Sequence, residues 1–221
     1  MDTPIATTTT TIDDSVIIKS DPIFSYKDHP GIPALLLFIN INTCNLHCYK
    51  CHNRKSIKNK DTFETYNINE LNSIISKHVL FGIELIIISG GEPTLVATEL
   101  IPIIEYIRNT FPDLKIRIDT NGQLPNNIQL LKPYVDGFAL DLKIPIKSEY
   151  SDDEQKRYSK IIGKNNIITY KNNILESINI IRDMPYTIFR TVKYPILTDT
   201  ELLYNESNLN LKIQYLDFYY F

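Results

Sequence analysis

The chain has 221 residues, 43% hydrophobic and 22% charged, with a net charge of −3. That suits one domain with a substantial core and excludes a highly charged disordered chain. Such a balance gives no electrostatic reason to bind nucleic acid or an anionic membrane. The longest apolar runs, Ala34–Ile39 and Leu85–Ile88, are strand-sized and far too short to span a bilayer. No basic region followed by an apolar one opens the chain, so no secretory leader is expected, and three clustered cysteines make a poor disulfide framework. A reducing, cytoplasmic setting is expected.

Residues 1 to 27 are polar, without a useful period, and read as a mobile lead-in; residues 28–221 read as one core domain. Leu35–Ile41 is a buried-type strand running straight into Cys44, Cys48 and Cys51. A helix follows at Asn69–His78, then a strand at Glu84–Ser89 ending in Gly90-Gly91. Glu99–Asn109 reads as a helix, Lys115–Asp119 as a strand stopped by Asn121-Gly122, and Ile128–Leu131 as a short helix. Gly137–Leu142 is a fourth strand, Asn172–Arg182 a helix, and Tyr186–Val192 and Leu211–Phe218 two last strands. The charged stretch Lys147–Tyr158 reads as irregular, either a partner-facing surface or a solvated loop.

Six strands alternating with helices predict an α/β fold with a mostly parallel sheet, a partial (β/α)6 barrel. Functional residues then belong at the C-terminal ends of the strands, where the polar motifs fall.

The only cysteines form one Cys-x3-Cys-x2-Cys run. Three thiolates can hold three irons of a [4Fe–4S] cubane, leaving the fourth iron open, whereas an electron-transfer cluster takes four. The competing arrangement is a zinc site completed by His47 or His52. Structural zinc sites draw ligand pairs from separated segments, and no second pair exists here.

Ser89-Gly-Gly-Glu-Pro-Thr94 lets the backbone approach a ligand, and Glu92 can accept from an ammonium group. Asp119 and Asn121 can hold ribose hydroxyls, although Asn-Gly is equally a routine turn. If Asp119 and Asp141 face one site, a cation must intervene or one pKa rises. Lys143 or a bound monovalent cation could serve. Arg190 is a candidate carboxylate clamp, with a surface ion pair as its plainer alternative.

The order Asp28-His-Pro-Gly31, Cys44–Asn53, Ser89–Thr94, Asp119–Gly122, Asp141–Pro145 and Phe189–Thr191 resembles a branch of the radical S-adenosylmethionine (SAM) superfamily. That branch comprises the activating proteins of anaerobic ribonucleotide reductase; pyruvate formate-lyase activating enzyme is similar more loosely. The resemblance covers roughly Asp28 to Leu197. It implies a radical SAM barrel with a [4Fe–4S] cluster on Cys44, Cys48 and Cys51 and SAM on the open iron. The implied SAM contacts are Tyr49, Lys50, His52, Gly90, Gly91, Glu92, Asp119, Asn121, Asp141, Lys143 and Arg190. Lys50 stands where the family usually carries an aromatic residue, and Tyr49 comes one place earlier.

The implied activity is reductive cleavage of SAM to a 5′-deoxyadenosyl radical, which makes a glycyl radical on a partner enzyme. A reductant such as flavodoxin or ferredoxin is implied with it, and neither nucleic acid nor membrane. Two alternatives are a radical SAM enzyme acting on a small molecule, like 7-carboxy-7-deazaguanine synthase, and a non-catalytic metal-binding protein of the same fold.

Overall fold

The structure, a computed structural model, describes residues 17, 23–39, 44–51 and 64–218. Seven strands form one sheet in chain order: β1 (Ile23–Ser25), β2 (Ala34–Phe38), β3 (Leu85–Ser89), β4 (Lys115–Thr120), β5 (Gly137–Asp141), β6 (Ile188–Val192) and β7 (Ile213–Leu216). The six strands read from sequence are β2 to β7, and they pair in parallel throughout. Sequential order without a switch point is the half-barrel topology. Among the described residues the two end strands do not pair with each other.

β1 is an addition from the expected lead-in. It pairs antiparallel with β2, Phe24 opposite Leu35, and Ile17 is buried against the core and bridged to Ile39. The lead-in reading gave this stretch no strand, because three residues are too few to show a period. The rest of residues 1–22 lie outside the described residues.

Alternation along the strands separates two apolar sets. Leu35, Leu37, Ile86, Ile88, Ile116 and Ile118 join the large core against the helices. Ala34, Leu36, Leu85 and Ile87 form a small separate cluster on the opposite face, inside the curl. On that inner face Arg117 pairs in register with Ile87, and Asp119 follows two residues on. Polar side chains therefore begin on the inner face just above an apolar floor.

The helices are α1 (Ile68–Val79), α2 (Ala97–Thr110), α3 (Pro125–Leu131), α4 (Asp152–Ile162), α5 (Ile167–Ile181) and α6 (Asp199–Leu209). In α2, Leu100, Ile103, Ile104 and Ile107 are buried at helical spacing, as the sequence predicts. Two helices depart from the sequence reading. Lys147–Tyr158 is not irregular: from Asp152 it is helical, opened by a capping box in which Ser151 and Glu154 bond each other's backbone amides. Its apolar stripe, Tyr158, Ile161 and Ile162, comes only at the end, so the charged first turns hide the period. α6 is opened by the same device at Thr198 and Glu201.

Candidate active site

At the C-terminal rim of the sheet lies a cavity of about 590 Å³. Every residue predicted for the site lines it except Tyr49 and His52. His52 lies outside the described residues. Tyr49 turns away, its ring stacked on Phe218 at 6.0 Å and 7°. Lys50 lines the cavity in its place, in a left-handed conformation with φ 45°.

The cysteine loop leaves β2 and rests on the end of α4. The Tyr49 amide donates to the Ile161 carbonyl at 2.9 Å and the His47 amide to Ile162 at 3.3 Å. Those carbonyls belong to the last turn of the helix, which has no partners of its own to offer them. Gly163, at φ +68°, ends α4 so close to the loop that a Cβ there would stand 2.2 Å from the His47 carbonyl oxygen. Burial pushes the Cys48 thiol up to about 11 and raises Cys44 as well. Iron binding at this site must therefore displace protons.

Gly90 ends β3 at φ +126°, where a Cβ would meet the Ile39 carbonyl oxygen at 2.8 Å. Beside it Glu92 is 1% exposed, and its carboxylate is held by hydrogen bonds on both oxygens. It accepts from the Thr94 amide (3.2 Å) and hydroxyl, the Thr120 hydroxyl (2.7 Å) and the Asn121 amide (2.7 Å). The carboxylate expected to accept from a ligand's ammonium thus also clasps the ends of β3 and β4. Asn121 likewise turns toward the loop, donating to Asn45 Oδ1 at 2.7 Å and lying 3.9 Å from Cys44 Sγ.

Asp119 and Asp141 do face one site, and the intervening cation is Arg190. Its Nη1 meets Asp119 Oδ2, and its Nε and Nη2 meet Asp141 Oδ1, each at 2.9 Å. Arg117 holds the other Asp119 oxygen at 2.9 Å, and Lys143 holds Asp141 Oδ2 at 3.0 Å. Five charges alternate in sign across β4, β5 and β6. Burial raises Asp141, but Arg190 and Lys143 more than reverse it, bringing it down to about 2. Arg190 is neither a surface ion pair nor a free clamp; it is the buried link between two carboxylates.

Sequence reading missed Arg117, which is fully buried and also donates to the Asp28 carbonyl at 2.8 Å, close to His29 Nδ1 at 3.2 Å. Its signal was the alternation Ile116-Arg-Ile-Asp119, which puts both charges on the inner face. Gln214 was missed too, since nothing in its spacing marks it, and Asn45 and Ser89 were quoted with their motifs but given no role of their own. Gln214 on β7 reaches across to donate to the Lys27 carbonyl at 3.4 Å, joining the two ends of the sheet. Among the described residues no three His, Cys, Asp or Glu side chains gather tightly enough for a single metal ion, and no helix is long and apolar enough to cross a membrane.

Residues 39–203, well over half the chain, match the family model of the radical SAM superfamily. The chain belongs to the radical SAM superfamily. Its fold is similar to that of methylornithine synthase, with a TM-score of 0.56 over 87% of this chain and 56% of that one, at 13% identity. A Methanococcus maripaludis protein named as a GTP 3′,8-cyclase is 34% identical over 139 residues, 62% of this chain and 43% of that protein. A Methanocaldococcus jannaschii protein named as a glycyl-radical enzyme activating enzyme is 29% identical over 180 residues, 79% of this chain and 67% of that protein. The chain thus spans less than half the length of the cyclase relative.

Radical SAM enzymes use a [4Fe–4S] cluster and SAM, and the residues here fit both. Three free thiols face one cavity, supplying soft donors for iron, and a glycine turn that tolerates no Cβ brings backbone to the same wall.

Proposed function

We propose that this protein activates a glycyl-radical enzyme, anaerobic ribonucleotide reductase, by making a glycyl radical on it. The observation that carries this reading is where the cavity opens. It is lined both by Lys27 and Asp28, just after β1, and by Gln214–Phe218, on and after β7. Among the described residues the sheet does not close there, its ends bridged by the 3.4 Å contact of Gln214, and such a gap would admit a polypeptide loop. The activating-enzyme relative, matched over more of both chains than the cyclase, supports the same reading.

Cys44, Cys48 and Cys51 would hold the [4Fe–4S] cluster, which with SAM would supply the one-electron radical chemistry that removes a hydrogen atom from glycine. The chain's own residues orient and shield. Gly90 and Gly91 would let backbone lie against SAM, and Glu92 locks that turn to the end of β4. Asp119 and Asn121 offer the ribose side of the cavity, and Asp141, Lys143 and Arg190 form a rigid wall.

The test is anaerobic iron and sulfide reconstitution, dithionite and SAM, with 5′-deoxyadenosine and the glycyl-radical electron paramagnetic resonance doublet as readouts. The doublet is expected only when the reductase is present. Consumption of GTP or a deazaguanine precursor, with no doublet on the reductase, would select the small-molecule reading. Loading of metal without any SAM cleavage would leave only a metal-binding protein.

A further inference from the structure

Gln214 stands in register with Arg190 on β6, which is itself in register with Asp141 on β5, so it ends the polar row that lines the cavity. Within that row the charged groups satisfy one another. Arg190 commits Nε, Nη1 and Nη2 to Asp141 and Asp119, and Lys143 commits its ammonium to Asp141. Gln214 is the exception: its Oε1 is buried and accepts nothing, the one such side-chain atom among the described residues. A buried amide oxygen without a donor is costly, and folded proteins leave few. Turning the amide over is no cure, because Nε2 would then lack a partner and Oε1 would face the Lys27 carbonyl.

The other half of the side chain is weakly held. Nε2 donates to the Lys27 carbonyl at 3.4 Å, beyond the usual range for an N–H donor, across the gap between the two ends of the sheet. Little else fixes the amide, and a turn about its own bonds brings Oε1 into that gap. β7 pairs with β6 alone among the described residues, so its other edge borders the gap with backbone groups unpaired. A polypeptide entering there loses water from its own N–H groups and needs acceptors for them. Asp119 and Asp141 are each held by two cations already, whereas Gln214 Oε1 keeps both lone pairs.

We infer that Gln214 swings away from Lys27 as the substrate loop enters and accepts, through Oε1, a backbone N–H at or next to the radical-bearing glycine. The inference rests on the reading that a glycyl-radical enzyme is the substrate, and it adds the residue that seats the loop. The long bond to Lys27 is exchanged for one to the loop, and the unpaired oxygen gains its donor. That exchange fixes how deep the glycine sits in the cavity.

The test uses the reconstituted full chain with SAM, free of oxygen and reductant, and a fluorescent peptide copied from the glycine loop of the reductase, followed by anisotropy. Three further peptides replace the amide of the glycine, of the residue before it or of the residue after it by an ester, deleting one N–H and little bulk. One of the three is expected to bind wild type about tenfold more weakly than the parent. Gln214→Met keeps the length of the side chain but not its amide oxygen. It is expected to bind the parent about as weakly as wild type binds that ester, and to distinguish the two peptides by less than about twofold. Gln214→Glu, which keeps an oxygen at the same reach, is expected to keep the preference for the amide. A side chain that only braced the two sheet ends would weaken all four peptides alike.

Equal binding of all four peptides by wild type overturns the inference, and so does an ester loss of the same size in wild type and Gln214→Met. If Gln214→Met raises the KM for SAM and leaves every peptide affinity alone, the oxygen serves SAM and the inference falls. The glycyl-radical doublet on the reductase separates the two levels. Wild type that makes the doublet without an ester effect loses only the role of Gln214, whereas no doublet and no peptide binding removes the activation reading itself.

Discussion

The Asn121 amide and the Glu92 carboxylate, 29 residues apart in the chain, are joined by a 2.7 Å hydrogen bond that ties the end of β4 to the end of β3. Thr94 and Thr120 converge on Oε1 of the same carboxylate, while Oε2 accepts from the Asn121 amide. Glu92→Gln puts an amide donor where only donors converge. It is expected to destabilise the fold by about 2 to 3 kcal/mol, read by chemical denaturation. Unchanged stability would mean that the clasp is not structural.

The Arg190 guanidinium stands between two buried carboxylates, so its removal leaves like charges facing each other. Arg190→Leu is expected to lower stability by roughly 3 to 5 kcal/mol, the usual effect of orphaning buried charge. Arg190→Lys should recover part of that loss, since one ammonium can meet one aspartate but cannot fork to both. Equal loss in the two variants would contradict the bridging role.

Acid should expose the same network. Asp141, raised by burial but lowered further by Arg190 and Lys143, falls from 3.8 to about 2. Burial also raises Glu201, and Arg157, the Thr198 amide and Tyr158 bring it from 4.5 to about 2. Both folded pKa values lie below the unfolded ones. Their stabilisation is therefore complete above the unfolded values and is lost as pH falls through the window toward 2. Urea midpoints should be level above about pH 5 and drop below it, by at most about 1.4 kcal/mol per pH unit for each group. Asp141→Asn should flatten that slope; an unchanged slope would rule Asp141 out as a source.

Gly163 joins the end of α4 to the cysteine loop with no room for a side chain. Gly163→Ala must move the His47 backbone and also adopts an unfavourable positive φ, costing about 1 to 2 kcal/mol before any clash is counted. After identical reconstitution the variant is expected to hold roughly half the iron of wild type or less, because the loop bearing the thiols has shifted. Full iron loading with only a lowered melting temperature would show that the loop tolerates the movement.

The sequence by itself determined the parallel strands, the main core helices and much of the cavity's polar lining. Apolar runs of β2 and β3 can be buried only on both faces, and polar motifs at strand ends converge on one rim whatever the helices do. The cysteine spacing and the Gly90-Gly91 turn are local chemistry and need no long-range knowledge. Tertiary structure alone decided what those residues do to one another. That Glu92 clasps Asn121, that Arg190 bridges two aspartates and that Tyr49 stacks on Phe218 depend on partners 29 to 169 residues away. Side-chain type records what a group can bond, but only packing fixes which partner lies within 3 Å. α4 is the sharpest case: its capping box was legible at Ser151 and Glu154, yet its role as the seat of the cysteine loop rests on backbone carbonyls, which no side-chain pattern encodes.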